Sequence, residues 1–164
     1  MEFTEPVAAD ARLTWIDSIA AAPTKLRGAV AGLDEAKLDR PYRPGGWSSR
    51  QVVHHVVDSH MNAYIRSKLL LTENQPTIKP YLEAAWAGLP DSNRPIGGSL
   101  ALLDHLHDRW VALLRALPDD AFDRMFYHPE YQASYSLNRL VATYAWHGAH
   151  HTAHITELRR REGW

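Results

Sequence analysis

The chain contains no cysteine. Disulfides and thiolate ligands are therefore excluded, and any bound metal must be held by His, Asp or Glu. A dominant charge is missing too: 18 Lys and Arg face 19 Asp and Glu, a formal net charge of −1. Such a balance offers no general attraction to nucleic acid or to an anionic membrane. No apolar run approaches the roughly 20 residues that a membrane span needs. The opening MEFTEPVAAD is acidic and lacks the basic and apolar regions of a signal peptide, so a cytoplasmic location is expected. No internal repeat or low-complexity tract divides the 164 residues. That length suits one domain, 1–164, and the 45% hydrophobic content is enough to bury a core.

Histidine is what the chain has in excess. There are ten, and four fall within TYAWHGAHHTAHITE (Thr143–Glu157): His147, His150, His151 and His154. Their meaning depends on which way they face.

Apolar periodicity and Pro/Gly punctuation divide the chain into helices. The first stretch, Asp10 to about Ala31, has Leu13, Ile16, Ile19, Leu26 and Val30 as apolar positions, and Pro23 predicts a kink or break near Ala22. RPYRPGG (Arg40–Gly46) cannot stay helical. Ser48 and Gln51 make a capping box that opens a second helix, carried by Val52, Val53, Val56, Val57, Tyr64, Leu70 and Leu71 to about Thr72. A helical turn at Tyr81–Ala87 is followed by the loop GLPDSNRPIGG. The third helix spans about Ser99 to Ala116, with Leu102, Leu103, Leu106, Trp110, Leu113 and Leu114. RMFYHPEYQASYSL is aromatic and irregular, with room for an extended segment. The fourth helix runs from about Leu137 to Arg161, and its RRR suits a helix C-terminus, where cations offset the dipole. Four amphipathic helices without a convincing sheet predict an all-α four-helix bundle of up-down type.

At about 100° per residue, Leu137, Leu140, Tyr144, Ile155 and Leu158 define the apolar stripe of the fourth helix. His151 falls at its centre and His147 well inside it. His154 lies at the margin and His150 points off it. His147 and His151 are also i and i+4, so their side chains are neighbours. A single His on an apolar face is more often a core residue bonded to a nearby acceptor. Two such imidazoles favour a metal, because burying both unpaired is costly. The helical His pair of zinc proteases uses the same geometry, but the glutamate that follows the first His there is absent here. Two ligands hold a metal weakly. VVHHVVDSH on the second helix offers His54, His55 and His60. His60 sits near the apolar stripe, His55 on a polar flank with Ser59, Asn62 and Arg66, and His54 points away. Periodicity does not choose between His55 and His60.

PYRPGGWSSRQVVHHVVDSHMNAYIRSKLLLTE, FYHPE and YAWHGAHHTAHITELRRREGW resemble the YfiT-type branch of the DinB-like superfamily. The resemblance runs over nearly the whole chain. It implies a four-helix bundle with a metal between helices, held by one His of the second helix and an H-x-x-x-H pair of the last. The second-helix ligand lies eight residues after the Trp of the GW motif, which is His55 counted from Trp47. The pair maps onto His147 and His151. The resemblance also implies zinc, with nickel as the alternative, one ion per chain, and a homodimer. Three imidazoles leave an open position, as in catalytic zinc sites. Water bound there would have its pKa lowered toward about 7, and a bound thiol would be deprotonated in the same way.

Three functions use this centre. The favoured one is transfer of a low-molecular-weight thiol such as bacillithiol to an electrophilic small molecule, since no obvious general base accompanies the ligands. The alternative is a hydrolase using metal-activated water. The third is a non-catalytic bundle pinned by the metal, with His60, His150 or His154 closing the site. Asp58, one turn after His55, is a candidate to orient that imidazole or else a solvated helix residue. Asn62, Arg66 and Tyr127 are pocket candidates. Arg66 could bind a carboxylate of the thiol or form a surface salt bridge. Trp146 and Trp86 read as core or interface residues.

Overall fold

The computed structural model describes residues 7–164, so the first six residues of the acidic opening lie outside it. Among the described residues six α-helices form: α1 (Ala9–Val30), α2 (Glu35–Leu38), α3 (Ser49–Thr72), α4 (Glu83–Ala87), α5 (Gly97–Arg115) and α6 (Leu137–Glu162). Local chemistry sets their ends. Ser48 Oγ accepts from the Gln51 amide at 3.1 Å while Gln51 Oε1 accepts from the Ser48 amide at 3.0 Å, which satisfies two free donors at the start of α3. Gly163, at φ 73, closes α6 in the left-handed conformation that glycine takes without penalty. Arg159 donates to the carbonyls of Ala29 and Ala31 at 2.9 Å, so the basic end of α6 caps α1 as well.

The four long helices α1, α3, α5 and α6 make the four-helix bundle. Its connectivity departs from simple up-down alternation. One core cluster gathers Leu26, Val30, Val52, Val56, Leu100, Leu103 and Ile155. The other gathers Ile16, Ile19, Leu70, Trp110, Leu114, Leu137 and Val141. The ends represented in each cluster make α1 parallel to α6 and α3 parallel to α5, an up–down–down–up order. Helix α1 packs on α5 and α6, and α3 packs on the same two, so the first two long helices are diagonal. The long connection 73–96 allows this by carrying the chain back to the end where α3 began.

Two local expectations change, and the extended segment takes a definite form. Helix α1 runs through Pro23 without a break. The aromatic segment forms a two-stranded antiparallel sheet, β1 (Met125–His128) with β2 (Ala133–Ser136), in the register Met125↔Ser136 to His128↔Ala133. Leu13 and Leu102 face solvent, each about half exposed. Their places on the inner faces are taken by neighbours, and on α5 the buried row is Leu100, Leu103, His107, Trp110 and Leu114. Among the described residues, no helix is long and apolar enough to cross a membrane. Between the two core clusters lies a layer of histidines from α3, α5 and α6.

Candidate metal centre

His55 comes from the second turn of α3; His147 and His151 come from successive turns of α6, which packs beside α3. One ligating nitrogen from each falls within 4.8 Å of the others, and they are the one such three-residue group among the described residues. His55 Nε2 and His147 Nε2 approach to 3.2 Å. The ring centroids of His55 lie 5.2 Å from His147 and 4.7 Å from His151, and those of His147 and His151 are 4.4 Å apart. A tetrahedral ion with metal–nitrogen bonds of about 2.0–2.1 Å separates its ligands by about 3.4 Å, so the His55–His147 spacing fits one. Nδ1 of His151 is buried without a hydrogen-bond partner. A donor set of imidazoles facing one another, with a buried nitrogen unsatisfied, is costly unless something shared lies between them.

Burial also fixes their charge. It lowers His55 to about 4 and His151 to about 3, with His55, His150 and His154 adding to the effect on His151. His147 falls well below the ordinary value for the same reason, helped by His60 and His151. At neutral pH all three are uncharged and carry lone pairs, the form a metal requires. Trp47 closes one side, with its ring centroid 4.6 Å from that of His55.

His60 is fully buried and stands outside this triangle. Its Nδ1 lies 2.8 Å from His107 Nε2 and its Nε2 lies 3.2 Å from His147 Nδ1, so both nitrogens are taken. His54 turns to the other flank, where its nitrogens meet Ser99 Oγ at 2.8 Å and the Arg94 carbonyl at 2.9 Å. His150 stacks on Trp146 and His154 on Tyr42, at 4.4 and 4.1 Å between centroids. Trp146 is 45% exposed and so is no core residue. Trp86 packs beside Tyr81 at 4.6 Å.

A cavity of about 440 Å³ opens beside His147. Arg66, Arg139, Glu83 and Glu130 line it, with Ser59 and Tyr144 deeper in the wall. Arg66 also donates to the Lys79 carbonyl at 3.2 Å. Asn62 lies on a neighbouring cavity with Tyr81 and Trp86, and its amide donates to the Asp58 carbonyl at 2.9 Å. Asp58 sits by Asp91 and His54; burial, then the charge of Asp91, raises its pKa. Tyr127 corrects one expectation. Alternation along β1 sends Phe126 and His128 to the cavity and Tyr127 to the other face, 38% exposed. The backbone of Tyr127 instead holds the 76–78 segment, through the Pro76 carbonyl and the Ile78 amide, both at 3.0 Å. Sequence reasoning also passed over His107 and His128. His107 sits at the middle of the Leu100–Leu114 row, and that helical spacing was its signal.

The DinB superfamily profile matches residues 18–155. The chain belongs to the DinB superfamily. A protein of Bacillus cereus strain B4264, named "Putative metal-dependent hydrolase", is 53% identical over 162 residues, covering 99% of this chain and 93% of its own. A Bacillus thuringiensis subsp. konkukian protein of the same name is 52% identical over the same shares. Among solved structures, YfiT from Bacillus subtilis, a four-helix bundle of unusual topology, superposes with a TM-score of 0.97 at 50% identity, covering 100% of this chain and 94% of that one. The diagonal, up–down–down–up arrangement described above is one physical form such a topology takes.

Proposed function

We propose that His55, His147 and His151 hold one divalent ion, zinc or alternatively nickel, and that the protein transfers a low-molecular-weight thiol of the bacillithiol type to an electrophilic small molecule. The observation that carries this reading is the set of three neutral imidazoles converging beside a charged cavity, while both nitrogens of the nearby His54 and His60 already have partners. With His60 committed to His107 and His147, no fourth ligand joins the three among the described residues, which favours an open, reactive centre over a structural one. An ion held there supplies positive charge that favours thiolate over thiol and hydroxide over water.

The chain's own residues do the rest. Arg66 offers a countercharge for a carboxylate, and Glu83 and Glu130 for an ammonium group, so a zwitterionic thiol finds both on one wall. Burial raises the pKa of Tyr81 and Tyr144, which keeps both phenols protonated as hydrogen-bond donors. In the transfer, the thiol proton passes to solvent, sulfur bonds to the electrophilic carbon, and the leaving group departs with its electron pair. The second reading is a metal-dependent hydrolase, favoured by the names of the relatives.

The test begins with metal analysis of the purified protein and of His55→Ala and His151→Ala. About one ion per chain in the parent and almost none in either variant is expected for a three-ligand site. Bacillithiol added to cobalt-loaded protein should then produce a sulfur-to-metal charge-transfer band. A site that keeps its metal without His55 sinks the centre. A loaded site that is blind to thiols but cleaves esters or amides turns the function to hydrolysis.

A further inference from the structure

Each of the four long helices contributes one group to a continuous line of hydrogen bonds that ends at His147. On α1, Pro23 has no N–H, so the carbonyl of Ile19, four residues earlier, loses its usual helical donor. His107 of α5 supplies one: its Nδ1 lies 2.7 Å from that carbonyl oxygen. His107 Nε2 is 2.8 Å from Nδ1 of His60 on α3, and His60 Nε2 is 3.2 Å from Nδ1 of His147 on α6. Each of these contacts has room for one proton between its two atoms, so every ring presents one N–H and one lone pair along the line.

We propose that Pro23, His107 and His60 form a tautomer lock that keeps the proton of His147 on Nδ1 and its lone pair on Nε2, pointed at His55. The polarity follows from the far end. A carbonyl oxygen only accepts, so His107 donates from Nδ1 and must accept at Nε2. His60 then donates from Nδ1 and accepts at Nε2. His147 is left with Nδ1–H as donor and Nε2 bare. Reversing any one ring sets two protons or two lone pairs against each other at contacts that involve the buried His60 or His107. A free histidine prefers its proton on Nε2, so three successive Nδ1–H rings are not the default. A chain closed by a carbonyl cannot pass protons through the bundle; its effect is orientation. Gly148 leaves the space for it, since a Cβ there would sit 3.4 Å from His60 Cε1 and 3.2 Å from the Ala22 Cβ.

His60 and His107 are thus positioning residues, and the consequence for metal binding rests on the centre proposed above. The lock itself is readable without metal. Long-range 15N–1H spectra of the metal-free protein at pH 7.5 should show pyrrole-type Nδ1 and pyridine-type Nε2 for His60, His107 and His147. Zinc titration against a chelating dye should find His60→Leu weaker by about 10–100-fold, the usual effect of losing a partner of a ligating histidine. His60→Gln keeps one donor and one acceptor and should recover most of that loss. A His147 carrying its proton on Nε2 in the parent protein overturns the lock, as does a folded His60→Leu that binds zinc like the parent. If His60→Leu does not fold, the spectra of the parent decide alone. Locked tautomers in a protein that binds no zinc would uphold the lock and remove the centre.

Discussion

The two flanks of α3 treat adjacent histidines in opposite ways. His54 and His55 are consecutive and similarly buried, at 8% and 4% exposure. His54 faces α5 and the preceding loop, where Ser99 and the Arg94 carbonyl engage both of its nitrogens. His55 faces α6, where its Nε2 meets only another imidazole nitrogen. Burial therefore does not distinguish a structural histidine from a candidate ligand. What does is whether each nitrogen has a partner of the opposite kind. By that count His60 and His107 belong with His54, although they lie closer to the centre.

The largest expected effect comes from acid on the metal-free protein. His55, His60, His147 and His151 are held neutral by burial in the folded chain. Above pH 6.5 their neutrality costs nothing, because the unfolded chain leaves them neutral too. Below it, the unfolded state takes up protons that the folded state refuses, so stability falls as pH drops. For His55 the fall continues to about 4 and for His151 to about 3. Each fully refused proton is worth about 1.4 kcal/mol per pH unit. Urea midpoints at pH 7.5 and 5.5 should therefore separate by an amount matching several such rings. Saturating zinc should widen the gap, since acid also strips the metal. A midpoint that does not move would mean these imidazoles are not held neutral, and the contrast between the two flanks would fail.

A smaller effect tests the other flank. His54→Ala strips Ser99 Oγ and the Arg94 carbonyl of a shared partner, at a cost of about 1–3 kcal/mol. Urea unfolding should register that loss, while metal content stays at the parent level. Loss of metal in His54→Ala, with the fold intact, would erase the distinction between the neighbours.

Helix positions were legible because their signals are local. The Ser48–Gln51 box and the Leu137 start are written in consecutive residues, and the structure begins α3 and α6 there. The inward facing of His147 and His151 followed from angle alone. His55 did not; the pattern left it open against His60, and only the family resemblance chose it. Angle says which way a ring points, not what waits there, and the partners of His60 come from α5 and α6. The order of the helices was hidden for the same reason, since an apolar stripe does not say which helix covers it. The β1–β2 hairpin escaped because strands of four residues are too short to establish a period of two.

The smallest expected effect is the most discriminating for the line through His107. Pro23→Ala restores an N–H to α1 opposite the Ile19 carbonyl. In an ordinary helix interior, removing a proline gains roughly 3 kcal/mol. Here the carbonyl already has a donor at 2.7 Å in His107, and α1 is unbroken around the proline. The new amide would compete for an acceptor that is already satisfied, so the gain should stay below about 1 kcal/mol. It should come with a weakened Nδ1–H preference at His107, because the carbonyl that enforced it would be shared. A full helix-propensity gain with the His107 tautomer unchanged would show that His107 had not been serving as that carbonyl's donor. The line would then lose the end that sets its polarity, and His107 its hold on the centre.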